Sequence, residues 1–482
     1  MQSAAHSQAM HFRARAGVQV RNPVLQRALR KAQPLFVGKR AKGVAGLVED
    51  GLDLELLRST AENIRNRTLA DLDVWLDIFE ERATVAGAEV LWARDGDEVA
   101  RLVVDIAQRH GVRKATKSKS MLSEEARLNE ALAAAGIRPV ETDLGEYIVQ
   151  LAGEPPSHII APAVHKTIGE VETLFAKEHG RPLARRTSAD IPALAREARQ
   201  VLREHFLSAD MGISGANFLI AETGSAALVT NEGNGRMVTT LPKVHVVITG
   251  IEKLVPTLED FSTLMRLLPR SATGQAISNY VSLLTGTRRA GDHDGPEKTV
   301  FILVDNGRAD LLGSDWQDML RCIRCGACMN HCPVYFSLGG HAWGWVYPGP
   351  MGSVLTPLFT GIENALDLPH ACTGCNQCGS VCPVRIPLPA LMHRLRETQH
   401  ERRLRPWRER LALRAWGWVA RRPGLYRWAT RRAARYLDWL ADGNGRIRIF
   451  GLIPAWTAGR DLPVASGKTF HELYAARKRE QT

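Results

Sequence analysis

The sequence predicts an α/β domain, followed by a mainly α-helical, cysteine-rich domain and a helical C-terminal extension. Short apolar segments alternate with helical patterns between residues 86 and 306, and this alternation is typical of βαβ units with a mostly parallel sheet. All eight cysteines lie between Cys322 and Cys382. Arginine and tryptophan then recur after residue 400. We therefore expect four regions, at 1–85, 86–306, 307–400 and 401–482.

Length and composition indicate an ordinary globular protein. A chain of 482 residues predicts two or three domains. Fractions of 45% hydrophobic and 24% charged residues are typical of soluble proteins. The N-terminal residues lack the apolar core of a secretion signal, and no segment approaches the ~18–20 unbroken apolar residues of a membrane helix. We therefore expect a soluble, cytoplasmic protein.

The elements can be placed in order along the chain. Apolar residues at three- and four-residue spacing predict helices up to about residue 85. A helix is expected over 95–110, and another from Ser123, because a serine followed by acidic residues is typical of a helix start. Consecutive strands within 215–250 leave little room for helices, so antiparallel pairing is expected there. The predicted strands are 88–93, 114–118, 139–143, 158–162, 215–222, 226–231, 243–250, 280–286 and 299–305.

The eight cysteines form two copies of one pattern, C-x-x-C-x-x-C-x-x-x-C-P, beginning at Cys322 and at Cys372. This is the bacterial ferredoxin spacing, which predicts two 4Fe–4S clusters. Three thiolates of each copy hold one cluster, and the fourth ligates the other cluster. The predicted ligands are Cys322, Cys325, Cys328 and Cys382 for the first cluster, and Cys332, Cys372, Cys375 and Cys378 for the second.

Two other uses of cysteine fit this pattern less well. Zinc sites pair two C-x-x-C knuckles across a longer gap, rather than placing three cysteines in one run. Disulfides belong to small proteins of oxidising compartments. The assignment of each cysteine to a cluster is less fixed by the sequence, because a long insertion separates Cys332 from Cys372.

The formal net charge is +12, and the basic excess is concentrated near the C-terminus. Arginines recur densely over 394–435 and are interleaved with tryptophans. Such a segment can dock a partner subunit or lie on an acidic membrane surface. It can equally be a solvated helical face whose tryptophans lie in the core. Nucleic acid is the least favoured partner, because no nucleic-acid module accompanies the run.

Several polar turns follow the predicted strands, and open α/β sheets bind ligands at the carboxyl ends of their strands. The turn after Glu222 brings backbone amides and hydroxyls together, which suits a carboxylate. Glu222 would act there as a base, or else only as a polar cap, and the lysines would bind the substrate or else be solvated. The candidate pocket residues are Lys117, Lys119, Glu222, Thr223, Gly224, Ser225, Asn231 and Glu232.

Beyond its cysteines, the chain resembles the lactate utilization protein B family over nearly its whole length. The resemblance rests on short motifs in a matching order. They are KSKSM at 117–121, ETDLGE at 141–146, AETGS at 221–225, TNEGNG at 230–235 and RCIRC at 321–325. The resemblance implies an α/β domain similar in fold to sugar-phosphate isomerases and CoA-transferases.

The resemblance also implies a function, that of the iron–sulfur subunit of a bacterial complex oxidising L-lactate. Its partners would be a cysteine-rich iron–sulfur subunit and a second lactate-utilization-domain protein. The resemblance leaves the catalytic residues unassigned, and the sequence shows no flavin or nicotinamide motif. Three functions stay open: an electron-transfer subunit of a lactate or glycolate-type oxidoreductase, a self-sufficient enzyme, and a ligand-binding scaffold with structural clusters.

Overall fold

The computed structural model describes residues 7–180, 190–448, 451, 457, 461–464 and 467–481. The chain divides into two compact units, Met1–Gln399 and His400–Thr482. The domain boundaries expected after residues 85, 306 and 400 stay predictions.

The chain begins with helices, as the spacing of its apolar residues predicts. In the described part they are α1 (Phe12–Gln19), α2 (Pro23–Glu49), α3 (Leu54–Ala70) and α4 (Leu72–Val85). Asn22 starts α2 by accepting hydrogen bonds from two backbone N–H groups, and Asp53 does the same for α3. These side chains satisfy N–H groups that have no partner inside the helix.

The strands then alternate with helices, and six of them form one parallel sheet in the order β1-β10-β7-β4-β2-β3. Strands β7 and β10 lie in the middle of the sheet and are buried along almost their whole length. This explains their continuous apolar sequences, since a parallel sheet is covered on both faces. The strands of the α/β region are β1 (Glu89–Ala93), β2 (Lys114–Lys117), β3 (Arg138–Glu141), β4 (Met211–Ser214), β5 (Phe218–Ile220), β6 (Ser225–Thr230), β7 (Val244–Gly250), β8 (Leu254–Val255), β9 (Tyr280–Thr285) and β10 (Lys298–Val304).

Helices connect these strands and cover the sheet. One core cluster joins the apolar face of the helix between β1 and β2, including Val99, Val103 and Ile106, to the central strands. The helices of this region are α5 (Gly96–Arg109), α6 (Met121–Glu125), α7 (Leu128–Ala134), α8 (Leu144–Ala152), α9 (Ile168–Glu178), α10 (Ile191–Leu207), α11 (Asn234–Thr240) and α12 (Leu258–Ala272).

A second, four-stranded sheet has the order β8-β5-β6-β9. Strand β6 pairs antiparallel with both β5 and β9. The antiparallel pairing expected within 215–250 is therefore present. Hairpin strands need only a short turn, which is why this block has no room for a helix between β5 and β6.

The chain reverses direction across the parallel sheet between β2 and β4. The connection from β2 leads outward to β3 at the edge, whereas the connection from β4 leads the other way to β7. Loops that leave two neighbouring strands in opposite directions open a crevice at the carboxyl ends of those strands. This position, after Lys117 and Ser214, is where a ligand site is expected in such a sheet.

Three details of the predicted elements were wrong. Segment 158–162 is not a strand, because the ring Nδ1 of His158 accepts the N–H groups of Ile160 and Ala161 and holds a turn. The helix expected from Ser123 begins at Met121, after its cap Ser120. Strand β4 was missed, because it is a short apolar segment that follows the long helix α10 after only three residues.

The cysteine-rich region is built from short helices and turns. Its α-helices are α13 (Ala327–Asn330), α14 (Pro333–Leu338), α15 (Gly349–Thr360), α16 (Gln377–Ser380) and α17 (Leu388–Glu401). The predicted order is therefore confirmed: an α/β region with a parallel sheet, then a helical cysteine-rich region, then a helical C-terminus.

The second unit contains α18 (Trp407–Ala420), α19 (Pro423–Leu440), α20 (Phe470–Glu480) and a two-stranded pair, β11 (Arg446–Ile447) and β12 (Leu462–Pro463). The tryptophans of α18 and α19 are not in a core, because none of the residues of these two helices is buried. Trp416 is 65% exposed and Trp439 is 77% exposed. Within the described residues, no helix combines the length and the apolar character needed to cross a membrane.

Candidate functional site

The two cysteine loops have the same backbone conformation. In the first loop Arg324 and Gly326 have positive φ angles of 58° and 72°, and in the second loop Gly374 and Asn376 have angles of 74° and 58°. The equivalent helices α13 and α16 follow. A left-handed residue on each side of the middle cysteine turns the chain sharply, so that the three thiols of one motif lie close together.

Backbone N–H groups donate to the cysteine sulfurs at equivalent places. Sγ of Cys322 accepts the N–H of Arg324 at 3.4 Å, and Sγ of Cys372 accepts that of Gly374 at 3.3 Å. The fourth cysteine of each motif accepts similar bonds, from Tyr335 at 3.5 Å and from Ile386 at 3.3 Å. Such bonds suit a thiolate ligand, and they tune the reduction potential of a bound cluster.

The eight thiols form two groups that mix the two motifs. Burial, and then repulsion from Cys382 and Cys322, raise the pKa of Cys325 to about 12. Burial, and then repulsion from Cys322 and Cys325, also raise the pKa of Cys328. We call Cys322, Cys325, Cys328 and Cys382 the first thiol group.

The second thiol group consists of Cys332, Cys372, Cys375 and Cys378. Burial, together with Cys375 and Cys372, raises the pKa of Cys332 to about 11. Burial, followed by Cys332, Cys372 and Cys375, raises the pKa of Cys378 to about 12. The last cysteine of the first motif therefore lies with the first three cysteines of the second motif.

The first thiol group surrounds a small closed cavity with apolar walls, including Met319, Met351 and Leu388. Thiols this buried lose their protons only when a metal compensates the charge. Within the described residues, no three His, Cys, Asp or Glu side chains are arranged to hold a single metal ion. Four sulfurs around a cavity with apolar walls fit an iron–sulfur cluster, which is larger than one ion and ligated by thiolates.

Arginines of the N-terminal helices surround this region. Arg58 Nε donates to the carbonyl of Cys382 at 3.0 Å, and Arg40 Nη2 donates to that of Val381 at 3.1 Å. The buried Arg65 joins β8 to the cysteine-rich region, since it donates to the carbonyls of Leu254 and Leu320. These cations favour the anionic cluster, and no pattern in the sequence could have predicted their position there.

A buried ion network joins the α/β region to the first cysteine loop. Glu252, after β7, pairs with Arg308 at 2.7 Å and with Arg324 at 3.3 Å. Arg308 also pairs with Glu125 at 2.8 Å, and the Glu125 carboxylate accepts the hydroxyl of Tyr347. Burial would raise the pKa of Glu252, but the surrounding cations lower it to about 2. The network holds the first loop against the carboxyl edge of the parallel sheet.

A cavity lies at this edge, at the reversal between β2 and β4, and we call it the main cavity because it joins the α/β region to the first thiol group. It has a volume of about 260 Å³. The segments after four strands of the parallel sheet line it: 118–120 after β2, Asp143 after β3, 215–217 after β4, and 252–253 after β7. The cysteine-rich region closes the other side, and there Cys325 of the first thiol group is part of the wall.

The structure places three of the eight candidate pocket residues on this cavity: Lys119, Asn231 and Glu232. Lys117 is not on it. Its Nζ donates to Glu141 and to Asn129, both at 2.6 Å, inside the protein. Burial opposes its charge, but Glu141 and other carboxylates outweigh this effect and raise the pKa of Lys117. Lys117 is therefore held inside the protein as the ion-pair partner of Glu141.

The turn from Glu222 to Ser225 also lies away from the main cavity. The Glu222 carboxylate accepts the N–H of Leu258 at 2.8 Å and so caps α12. A Cβ on Gly224 would stand 2.3 Å from the backbone nitrogen of Ala83, so this turn packs directly against α4. Thr223 donates to Ser225 at 2.9 Å. These residues form a structural turn. Glu222 acts in it as a polar cap, which was the alternative to its role as a base.

Several polar residues of the cavity were missed by the sequence analysis. They include Ser118, Asn234 and Thr249, each of which has a buried side-chain atom without a hydrogen-bond partner in the described structure. The available signal was weak, since each lies at or just beyond the end of a strand or at the start of a helix. Many residues of the chain lie at such positions, and only the order of the strands brings these three residues together.

Comparisons with known proteins agree along the chain. Residues 76–304 match the family model of the LUD domain, residues 318–386 that of a 4Fe–4S dicluster domain, and residues 391–479 that of the C-terminal part of lactate utilisation protein B. Iron–sulfur clusters of the 4Fe–4S type are therefore the cofactors of the cysteine-rich region, as its spacing predicts.

Full-length relatives show the same order of parts. "Uncharacterized electron transport protein YkgF" of Escherichia coli is 41% identical over 96% of both chains. Lactate utilization protein B of Lysinibacillus sphaericus is 41% identical over 95% of both chains. The Bacillus licheniformis protein of that name is 40% identical over 98% of this chain and 97% of its own. The chain belongs to the lactate utilization protein B family.

Proposed function

We propose that the chain is the iron–sulfur electron-transfer subunit of a complex that oxidises L-lactate to pyruvate. The observation that carries this proposal is the pair of thiol groups, one against a polar cavity and one at the surface. The names of the relatives supply the words electron transport and lactate utilization. The same arrangement would serve a related 2-hydroxy acid such as glycolate, which differs from lactate by one methyl group.

The cluster count and the ligands are part of the proposal. Two 4Fe–4S clusters are held, one by each thiol group, and each group draws three cysteines from one motif and one from the other. The electrostatic grouping of the thiols supports this crossed assignment. Two clusters suit the reaction, because oxidation of lactate releases two electrons while one cluster carries a single electron at a time.

The surroundings of the thiol groups give the relay a direction. Cys325 is only 8% exposed and lies on the cavity wall. Cys375 is exposed, as is the loop around it from 373 to 377. Electrons enter at the first group and leave through the second, where a partner can approach. The bound clusters supply the electron transfer, and the protein supplies N–H donors, nearby arginines and exclusion of water.

The partners proposed are a cysteine-rich iron–sulfur subunit and a second lactate-utilization-domain protein, in the cytoplasm. The exposed Trp416, Trp418 and Trp439 among arginines fit a contact with a partner or with an acidic membrane face. A scaffold with structural clusters is the second candidate. It is favoured by the polar cavity beside the first thiol group, which could hold a ligand without any electron transfer.

Growth on lactate tests the proposal. A deletion strain lacking any other lactate dehydrogenase is grown on L-lactate as its sole carbon source, and is complemented with the wild type, Cys325→Ser or the control Ser380→Ala. Growth should need the gene, return with Ser380→Ala and fail with Cys325→Ser. Normal growth of the deletion strain contradicts the pathway, whereas rescue by Cys325→Ser contradicts the relay.

A further inference from the structure

The lining of the main cavity includes four residues with buried polar side-chain atoms that have no hydrogen-bond partner in the described structure. The atoms are Nζ of Lys119, Oγ of Ser118, Oγ1 of Thr249 and Oδ1 of Asn234. A buried polar atom left without a partner costs about 1–3 kcal/mol, and a charged one costs more. Four of the twelve such atoms in the described structure belong to residues that line this one cavity. Together these atoms indicate which chemical groups a ligand needs in order to form hydrogen bonds with them.

Lys119 specifies an anionic group. It lies just beyond β2, where the strand has ended and the backbone can turn its ammonium toward the crevice. Burial lowers its pKa, and the carboxyl groups of Asp143, Glu146 and Glu232 partly offset this effect. None of these acids forms an ion pair with it within the described residues. A bound carboxylate would supply the missing partner.

The neighbouring acids have other partners, and Glu232, for example, accepts the N–H of Asn231 at 3.1 Å. Asp143 accepts N–H groups of Gly145 and Glu146 at the start of α8. Burial raises the pKa of Glu146 to about 8, so this carboxyl is largely protonated at neutral pH. Glu252 is already paired with Arg308 and Arg324. Lys253, the other lysine on the cavity, donates to the carbonyl of Cys322, so Lys119 is the lysine left to bind an anion.

Asn234 specifies a hydrogen-bond donor on the ligand. Its Nδ2 donates to Oγ1 of Thr142 at 3.4 Å, which orients the amide and leaves Oδ1 as the atom without a partner. An amide oxygen can only accept. The hydroxyls of Ser118 and Thr249 can donate to a carboxylate. The cavity therefore requires a ligand with both a carboxylate and a hydroxyl group, of a size that fits about 260 Å³.

We propose that this cavity binds a small 2-hydroxy carboxylate, with its carboxylate on Lys119 and its hydroxyl donating to Asn234. The site deepens the proposed function, because it adds a ligand site to an electron-transfer subunit, yet its evidence is independent of the relay. Cys325 is on the wall of the same cavity, so the ligand binds next to the first thiol group. The chain is then a ligand-binding subunit as well as a carrier of electrons.

Binding is tested on the anaerobically purified full-length chain with its clusters intact. L-lactate, propionate and 1-propanol are titrated by calorimetry, and the EPR spectrum of the reduced clusters is recorded with and without each compound. L-lactate should bind tightest, propionate should bind more weakly because it lacks the hydroxyl, and 1-propanol should not bind. Bound lactate should change the EPR signal of the first cluster only.

Two variants separate the roles of the anchors. Lys119→Met should weaken binding of both acids by about tenfold or more, the loss expected for one charge-assisted hydrogen bond. Asn234→Ala should reduce the affinity for L-lactate and leave that for propionate unchanged. Lys31→Met, at an exposed lysine of α2, is the matched control and should bind as the wild type does.

The melting temperature shows whether Lys119 is structural. Removing a buried charge without a partner should leave the melting temperature of Lys119→Met unchanged or raise it, whereas loss of a structural lysine would lower it. Wild-type affinity in Lys119→Met, or no lactate binding to the cluster-loaded wild type, overturns the ligand site. Neither result bears on electron transfer, which is tested separately by whether Cys325→Ser restores growth on lactate.

Discussion

The two cysteine loops are copies in sequence and in backbone, but their surroundings differ. The first loop is buried against the α/β region and contributes to the main cavity, while the second is exposed from 373 to 377. The difference is clearest at one equivalent position, where the first loop has Arg324 and the second has Gly374. Both residues have positive φ angles, of 58° and 74°.

A glycine is the easy choice at this position, and an arginine is strained there by about 1–2 kcal/mol. Arg324 is kept because its guanidinium pairs with Glu252 at 3.3 Å and lies 4.6 Å from the centre of the Tyr347 ring. The spacing of the cysteines therefore determines that each loop can hold a cluster. The contacts outside the motif determine which loop faces the main cavity and which faces solvent.

The largest effect is expected at the fourth cysteine of a motif, which belongs to the thiol group of the other motif. Cys332→Ser should disturb the cluster of the second thiol group, although Cys332 belongs to the first motif. Iron in the purified chain should fall from about eight to about four atoms if that cluster is lost. EPR identifies the cluster that remains. If the second cluster survives and the first is lost, the crossed assignment is wrong.

Exchanging the equivalent residues of the two loops sharpens the comparison. Arg324→Gly should cost about 2 kcal/mol of unfolding free energy, since the buried pair with Glu252 is lost and the relief of strain only partly offsets it. It should also make the potential of the first cluster more negative, because a nearby cation is removed. Gly374→Arg should cost about 1 kcal/mol through strain alone. Unfolding at graded denaturant and a redox titration measure both variants.

The first loop is attached to the α/β region through a histidine. His158 Nε2 and Asn330 Oδ1 are 2.9 Å apart, while Ser380 at the equivalent position of the second loop is exposed. Burial lowers the pKa of His158 to about 4.

Because the unfolded chain takes up this proton near the ordinary pKa of about 6.5, stability is complete above that pH and is lost as the pH falls toward 4. The loss from this residue should reach about 2 kcal/mol at pH 5. Melting curves at pH 7.5 and pH 5, for the wild type and His158→Gln, measure it. An equal pH dependence in both proteins would show that His158 is not responsible.

The smallest effect on stability is expected at the exposed tryptophans. Trp416→Ala and Trp418→Ala should change the unfolding free energy by less than about 0.5 kcal/mol, because both side chains are already in solvent. The same variants should weaken assembly with the proposed partner subunits, measured by co-purification. Assembly that is unchanged in the double variant would remove the C-terminal unit as the attachment site.

The sequence by itself determined the features that are encoded locally. The cysteine spacing predicts cluster loops, the alternation of apolar segments predicts the α/β region, and the motifs from 117 to 325 indicate the family. Continuous apolar runs such as β7 and β10 are easily recognised because buried parallel strands need them. Local periodicity is enough for these features, since each depends on residues close together in the chain.

Only the tertiary structure decided which residues share a site. Lys117 and Lys119 are two residues apart, yet one is paired with Glu141 inside the protein and the other lines the cavity. Glu222 lies in a promising turn but caps a helix, while Asn234 was overlooked. A ligand site at a sheet edge depends on the order of the strands and on where each strand ends. That order is fixed by long-range packing, which no local pattern in the sequence contains.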